Sequence, residues 1–339
     1  MTSLSLSAAL QRAEAGDHQL QFAVAQYCFE RGDVNSARRF AQLAAQGGVS
    51  EAALAAARLE LVDLTGSGRL ATALHWAEAA ASDGIAEATE ALAKIRVLVA
   101  DDAASGIQAA EAVLMDKPEH AALCAALSAL RDAPELAPPN ALDPSGRVCN
   151  HGIVIPESVR DWMVQLAKPW LAPAAIIDPA SGQRRLHPVR RSDQAVIDWE
   201  RLDPVAAAVL RLVAERCGCD WRCCEPINLL RYPAGGEYRL HHDCFEHDPL
   251  TTSSANRAHV NQRSTTAIIY LNDDFDGGAT AFPALALAVQ PVAGQLLQFA
   301  NLRDDRPDPQ MRHAGEPIRQ GEKRILTFWF REHPLVERD

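Results

Sequence analysis

Four side chains in the C-terminal half have the types and spacing to do chemistry together. His241 and Asp243 stand two apart in Tyr238-Arg-Leu-His-His-Asp243, on a predicted strand, Tyr238–Asp243. Side chains alternate along a strand, so these two share a face and His242 points the other way. An imidazole and a carboxylate on one face can grip one metal ion. A second imidazole, His313 in Met-Arg-His-Ala-Gly, lies far downstream. Two histidines and one carboxylate form a facial set suited to Fe(II) that leaves coordination positions open. Zinc more often takes a closed Cys/His set. Lys323 comes ten residues after His313, and the turn Gly315–Gly321 between them could set the two at matching heights on paired strands. Alternation then gives Lys323, Ile325, Thr327 and Trp329 one face, taken as a barrel interior. A lysine facing an interior needs an anion. A dicarboxylate chelating the metal at one end would present its other carboxylate there. Singly these residues say little: a lone buried histidine is usually a core residue, and a lone strand lysine usually sits on a solvated edge. The ordered combination carries the reading.

The elements that must position them are short strands with Gly or Pro between most of them. Ile227–Tyr232, Tyr238–Asp243, Ser264–Asn272, Gln295–Asn301 and Lys323–Arg331 are so predicted, a pattern of all-β sandwiches and barrels. Helices are expected at Ser158–Lys168 and Asp203–Arg216. Upstream the character changes. Before residue 132 the chain is rich in Ala, Leu, Glu and Gln, which favour helix. Pro134, Pro138, Pro139 and Pro144 then stiffen a connector. The expected organisation is a helical domain at 1–131, a linker at 132–147, a β-rich domain at 148–333 and a tail at 334–339, a multidomain α + β chain. The helical part repeats itself: Ala44-Ala-Gln-Gly-Gly48-Val-Ser-Glu-Ala52 returns as Ala80-Ala-Ser-Asp-Gly84-Ile-Ala-Glu-Ala88. A weaker copy begins at Gly16. Such a period suits stacked helical hairpins that bury one another's apolar faces.

Composition narrows the partners. A net charge of −11, from 33 basic and 44 acidic residues, argues against nucleic acid or an anionic membrane as the main partner. No stretch approaches the roughly 18 apolar residues of a spanning helix, and the N-terminus has no basic flank of a secretory signal. Eight cysteines without scaffold spacing fit a reduced, cytoplasmic protein. Cys217-Gly-Cys219-Asp-Trp-Arg-Cys223-Cys224 lacks zinc spacing and is read as buried or partly buried thiols. His247, His259 and His333, and the run Asp304 to Asp308, are expected at the surface. The polar stretch 246–260, long for a connection, is either a lid or an insertion.

Residues 148–333 resemble the prolyl 4-hydroxylase branch of the Fe(II)- and 2-oxoglutarate-dependent dioxygenases. The likeness is carried by Leu230-Arg-Tyr232-Pro-Ala-Gly-Gly-Glu-Tyr238-Arg-Leu-His241-His-Asp243, Arg263-Ser-Thr-Thr266-Ala-Ile-Ile-Tyr-Leu-Asn272, Gly277-Gly-Ala-Thr280-Ala-Phe-Pro283, Val289-Gln-Pro-Val-Ala-Gly294, Phe299-Ala-Asn301, His313-Ala-Gly315 and Gly321-Glu-Lys323-Arg-Ile-Leu-Thr-Phe-Trp329. Arg190-Arg-Ser192 looks like the family's Arg-x-Ser segment. The resemblance implies a double-stranded β-helix, or jelly roll, with helices packed on one side. It implies that His241, Asp243 and His313 ligate iron and that Lys323 pairs with the distal carboxylate of 2-oxoglutarate. Tyr232 matches the family's active-site tyrosine; Thr280 and Trp329 match pocket-lining positions. The implied reaction couples O2 reduction and decarboxylation of 2-oxoglutarate to succinate and CO2 with hydroxylation of a peptidyl proline, with L-ascorbate keeping the iron reduced. Related halogenases lack the carboxylate ligand, so Asp243 favours hydroxylation. The same chemistry on a free amino acid or small molecule is the alternative. A repeat-mediated interaction protein with an inactive barrel is a further one, against which the four intact residues speak. Residues 15–95 resemble Sel-like repeats, relatives of tetratricopeptide repeats, through Gly48, Gly84, Ala37, Ala73 and the Ala-Ala before each glycine. Such arrays bind protein or peptide, so they either hold a substrate or only support the second domain.

Overall fold

In the computed structural model the described residues are 5–62, 69–134, 137–177, 184–186, 189–245 and 261–336. The chain divides into two units. One comprises Met1–Ser128, Trp199–Ala208 and Val336–Asp339; the other comprises Ala129–Asp198 and Val209–Leu335. No helix among the described residues is long and apolar enough to cross a membrane.

The first unit is helical. Consecutive helices such as Val34–Gln46, Ser50–Val62, Arg69–Ser82 and Ala86–Val99 are joined by tight turns that the repeated text explains. Gly48 and Gly84 adopt φ of 84° and 81°, a left-handed conformation that costs glycine least. After each, an N–H reaches back to the helix: Val49 to Ala44 and Ile85 to Ala80, both at 3.1 Å. This closure satisfies carbonyls at the helix end. The same bonds recur at Asp17 and Asp33, which then cap the next helices by accepting from the Leu20 and Ser36 N–H groups. The turn is thus reused where the surrounding sequence has diverged. Ala37, Ala41 and Ala44, with Ala73, Ala77 and Ala80 at the same places one repeat on, are fully buried. Small side chains there let helix backbones approach closely.

The second unit is built on two antiparallel sheets. The larger runs in the order Asn140–Ala141, Val148–Ile153, Gln295–Ala300, Arg263–Tyr270, Lys323–Arg331, Ile227–Tyr232, Asp193–Ile197, Ala172–Pro173. The smaller runs Leu287–Val289, Thr280–Phe282, His313–Gly315, Tyr238–His241. Leu230, Ile268, Tyr270, Leu297 and Phe299 of the larger sheet share one buried cluster with Phe282 and Val289 of the smaller. The sheets therefore face each other across a common core, a jelly-roll arrangement that makes the chain a multidomain α + β protein. The helix Glu157–Ala167 belongs to this unit. The helix Pro204–Arg216, capped by Asp203, which accepts from the Ala206 N–H at 2.7 Å, begins in the segment Trp199–Ala208 assigned to the first unit. Within the proline-rich stretch read as a connector, Asn140–Ala141 forms an edge strand against Val148–Ile153. There the Asp143 carboxylate accepts backbone N–H bonds from Ser145, Arg147 and Val148, closing a turn that proline density alone does not reveal.

Candidate metal centre

His241 ends the strand Tyr238–His241 and lies directly opposite His313 in the neighbouring strand. Cross-strand register alone brings the two rings to 4.3 Å between centroids. The predicted strand through Asp243 stops two residues early, at His241. Asp243 reaches the histidines because the chain bends beyond the strand end, not because of strand alternation. The Asp243 Oδ1 lies 3.5 Å from Nε2 of His241, and Oδ2 lies 3.7 Å from Nε2 of His313. Ligand atoms of all three lie within 4.8 Å of one another.

The surroundings of this triad prepare it as a donor set. Nδ1–H of His241 donates to the Arg239 carbonyl at 2.7 Å, and Nδ1–H of His313 donates to the Met311 carbonyl at 3.0 Å. Both Nε2 lone pairs are thereby turned inward. Among the described residues, Nε2 of His241 is buried with no hydrogen-bond partner. The Tyr238 ring stacks on His241 at 3.4 Å, and Phe299 meets His313 edge-on at 4.6 Å. Burial pushes the His313 pKa down to about 4 against the opposing pull of Asp243. Burial would raise Asp243, but the two imidazoles and the Thr266 hydroxyl outweigh it and hold the carboxyl well below its usual range. Neutral imidazoles and an ionised carboxylate are the forms a metal requires. Buried lone pairs converging on one point, with a nitrogen left unpartnered, fit a divalent ion such as Fe(II).

Lys323 lines the same cavity. It does not pair with the His313 strand: it lies in the larger sheet, opposite Tyr232, because the chain after Gly315 crosses from one sheet to the other. Lys323 and His313 thus face the cavity from different walls. The ammonium is buried and donates to the Gly278 carbonyl at 2.6 Å, with Nζ 5.2 Å from the Tyr270 ring centre. Burial lowers its pKa to about 7 against the opposing pull of Glu316. Among the described residues it forms no ion pair with a carboxylate. Ile325, Thr327 and Trp329 line the cavity from the same strand. Among the described residues the Thr327 hydroxyl and Trp329 indole N–H are buried without hydrogen-bond partners, and the Arg263 guanidinium lies 3.9 Å over the Trp329 ring. Tyr232 and Thr280 are buried at the cavity wall. The Tyr232 hydroxyl is held protonated by burial, with Ser192 beside it; Thr280 shares a 2.8 Å hydrogen bond with the Tyr270 hydroxyl.

Sequence reasoning gave no role to Tyr238, Tyr270 and Glu316. Thr327, expected on the interior face, lines the cavity. Tyr238 and Tyr270 are ordinary strand residues until a partner strand gives them a neighbour. Cys217, Cys223 and Cys224 are buried and Cys219 partly so. Burial raises these thiols, Cys223 to about 11 and Cys224 well above its usual value, and among the described residues none of them belongs to a cluster able to hold a metal ion. His333 is exposed. Asp308, expected in a solvated loop, is buried: it accepts from Arg303 and from the N–H of Gln310, since a carboxylate bonded by cations and backbone tolerates burial. The stretch 246–260, with His247 and His259, lies outside the described residues.

Residues 227–331, which carry His241, Asp243, His313 and Lys323, match the family model described as the 2OG-Fe(II) oxygenase superfamily. The chain is 32% identical over 169 residues to prolyl 4-hydroxylase subunit alpha-2 of Gallus gallus, covering 50% of this chain and 31% of that protein. It is 29% identical over 191 residues to prolyl 4-hydroxylase 2 of Arabidopsis thaliana, covering 50% of this chain and 62% of that one. The matches thus span less than two thirds of either relative. A solved viral collagen prolyl hydroxylase from Paramecium Bursaria Chlorella virus-1 overlaps 55% of this chain and 96% of its own, at 22% identity and a TM-score of 0.43, too loose a likeness to bear on the site. The triad thus lies within the segment that matches the 2OG-Fe(II) oxygenase superfamily model, and about half of the chain is similar in sequence to prolyl 4-hydroxylases.

Proposed function

We propose that this domain is an Fe(II)- and 2-oxoglutarate-dependent dioxygenase that hydroxylates a prolyl residue of a protein or peptide. The observation that carries it is one cavity with a His/Asp/His donor set on one wall and, on another, an ammonium that has no carboxylate counter-ion among the described residues. His241, Asp243 and His313 would hold the iron. Bound there, the metal supplies the oxidative chemistry that couples O2 and 2-oxoglutarate to hydroxylation, with ascorbate as its reductant. The chain's own residues bind and orient. Lys323 neutralises the distal carboxylate of 2-oxoglutarate, and that anion in turn restores the ammonium that burial disfavours. Tyr232 and Thr280 offer hydroxyls along the cosubstrate, and Trp329 closes the wall beside it. Apolar walls at Leu230, Ile268 and Ile325 exclude water from the reacting end.

Resemblance to prolyl 4-hydroxylases supports the prolyl acceptor, and the N-terminal repeats are proposed to hold the acceptor chain. Eight free cysteines support a reducing, cytoplasmic setting. The test is incubation with Fe(II), 2-oxoglutarate, ascorbate and proline-rich peptides. Succinate release with addition of one oxygen to the peptide is expected. Succinate release without peptide mass gain would move the acceptor to a free amino acid or small molecule, and no 2-oxoglutarate turnover would remove the enzyme reading.

A further inference from the structure

We infer that Asn301, acting through the Thr266 hydroxyl, is a positioning residue for the Asp243 carboxylate and so sets the metal affinity of the centre. The inference rests on the reading of His241, Asp243 and His313 as ligands.

The three ligands are not placed by the same means. Sheet register fixes both histidines, and each ring is further tied by Nδ1 to a backbone carbonyl. Asp243 lies past the end of its strand, where no ladder holds it. Its carboxylate is fixed by a side chain instead: Thr266 Oγ1 donates to Oδ2 at 2.7 Å. Thr266 is fully buried in Arg263–Tyr270, an interior strand paired on both sides, with Phe299 and Trp329 as its partners. Its position is therefore rigid, but its hydroxyl proton can rotate.

Asn301 removes that freedom. Its Nδ2 lies 2.9 Å from Thr266 Oγ1. An amide nitrogen only donates, so the hydroxyl must accept there and direct its own proton to Asp243. The result is a one-way relay from Asn301 through Thr266 to the carboxylate. Asn301 is 1% exposed, and its backbone is anchored on both sides, donating to the Ser264 carbonyl at 2.8 Å and accepting from the Asp308 N–H at 2.9 Å. The Cys244 thiol donates to the same Asn301 carbonyl at 3.6 Å. One residue thus holds the segment after His241 twice, through the Asp243 side chain and through its neighbour. Hydrogen bonds to a ligating carboxylate typically alter metal affinity by about 10- to 100-fold.

The test measures Co(II) binding to the full chain by its visible absorption and by chelator competition, so that it does not depend on turnover. Asp243→Ala sets the baseline for loss of a ligand. Thr266→Val, close in shape, and Asn301→Leu should each weaken Co(II) binding by about 10- to 100-fold. The double variant should be no weaker than the poorer single one, since both act along one path. Thr266→Ser, which keeps the hydroxyl, should restore affinity to within a few-fold. Wild-type affinity in Thr266→Val, or additive losses in the double variant, would overturn the relay while leaving the ligand reading intact. Equal Co(II) binding by the wild type and Asp243→Ala would instead overturn the ligand reading, and the relay with it.

Discussion

Glu60 and Lys323 are both buried charges, 3% and 4% exposed, and they sit in different units of the chain. Glu60, in the helix Ser50–Val62, is met by its own chain: it accepts from Gln42 at 2.7 Å and Arg69 at 3.0 Å and pairs with Arg38 at 3.4 Å. Lys323 donates to the Gly278 carbonyl and, among the described residues, forms no ion pair with a carboxylate, and burial lowers its pKa to about 7. An ionised group removed from water needs a counter-charge or it shifts towards neutrality. Where the chain supplies the counter-charge, the group ties helices together. Where it leaves the charge unmet on a cavity wall, a ligand of opposite sign is the remaining partner. The metal end follows the same logic with the signs reversed: convergent lone pairs, one of them on a nitrogen without a partner, await a cation.

This contrast predicts opposite responses to mutation. The largest effect is expected from His313→Ala. Removing a ligand should cut 2-oxoglutarate turnover by more than about 10³-fold, with the melting temperature changed little. Retained turnover would take His313 out of the site. Next, Lys323→Met should raise the KM for 2-oxoglutarate by about 10²-fold, since it deletes the cation opposite a buried anion. The same change should raise the melting temperature of the ligand-free protein, because an apolar side chain of similar length no longer resists burial. A lower melting temperature would break the contrast. Glu60→Gln should do the reverse. It should cost about 3 kcal/mol of stability by stranding two guanidinium groups, seen in denaturant unfolding, and leave the KM for 2-oxoglutarate unchanged.

Much of this was legible in the sequence because it was local or periodic. The strands Ile227–Tyr232 and Lys323–Arg331 stand as predicted, since their apolar, β-branched and aromatic runs are bounded by turn residues. The glycine turns at Gly48 and Gly84 were legible because only glycine takes that conformation cheaply. What was not legible depends on pairing. Thr280–Phe282 and His313–Gly315 are three residues long, too short for any period to show. That His313 and Lys323 belong to opposite sheets follows from a crossover after Gly315, which spacing alone does not encode. Thr266 and Asn301 were visible only as letters of a family pattern. Their connection to Asp243 appears when Arg263–Tyr270 is laid beside Gln295–Ala300.

The finest effect is the pH dependence of that lone ammonium. An ordinary lysine has a pKa of 10.5, and burial lowers Lys323 to about 7. Between those values the unfolded chain binds a proton that the folded chain does not. Stability therefore rises with pH across this window, while below pH 7 the full cost of burying the charge is present. The slope for one such group is on the order of 1 kcal/mol per pH unit. Other groups also titrate, so the informative quantity is the difference between wild type and Lys323→Met, with melting temperatures compared at pH 7 and pH 8.5. The variant's stability advantage should shrink as pH rises, because the wild type loses the charge that penalises it. Saturating 2-oxoglutarate should flatten the wild-type slope by returning a partner to the ammonium. A difference that stays constant over this range would mean that Lys323 keeps its charge without a ligand, and its likeness to the self-contained Glu60 cluster would then outweigh the contrast between them.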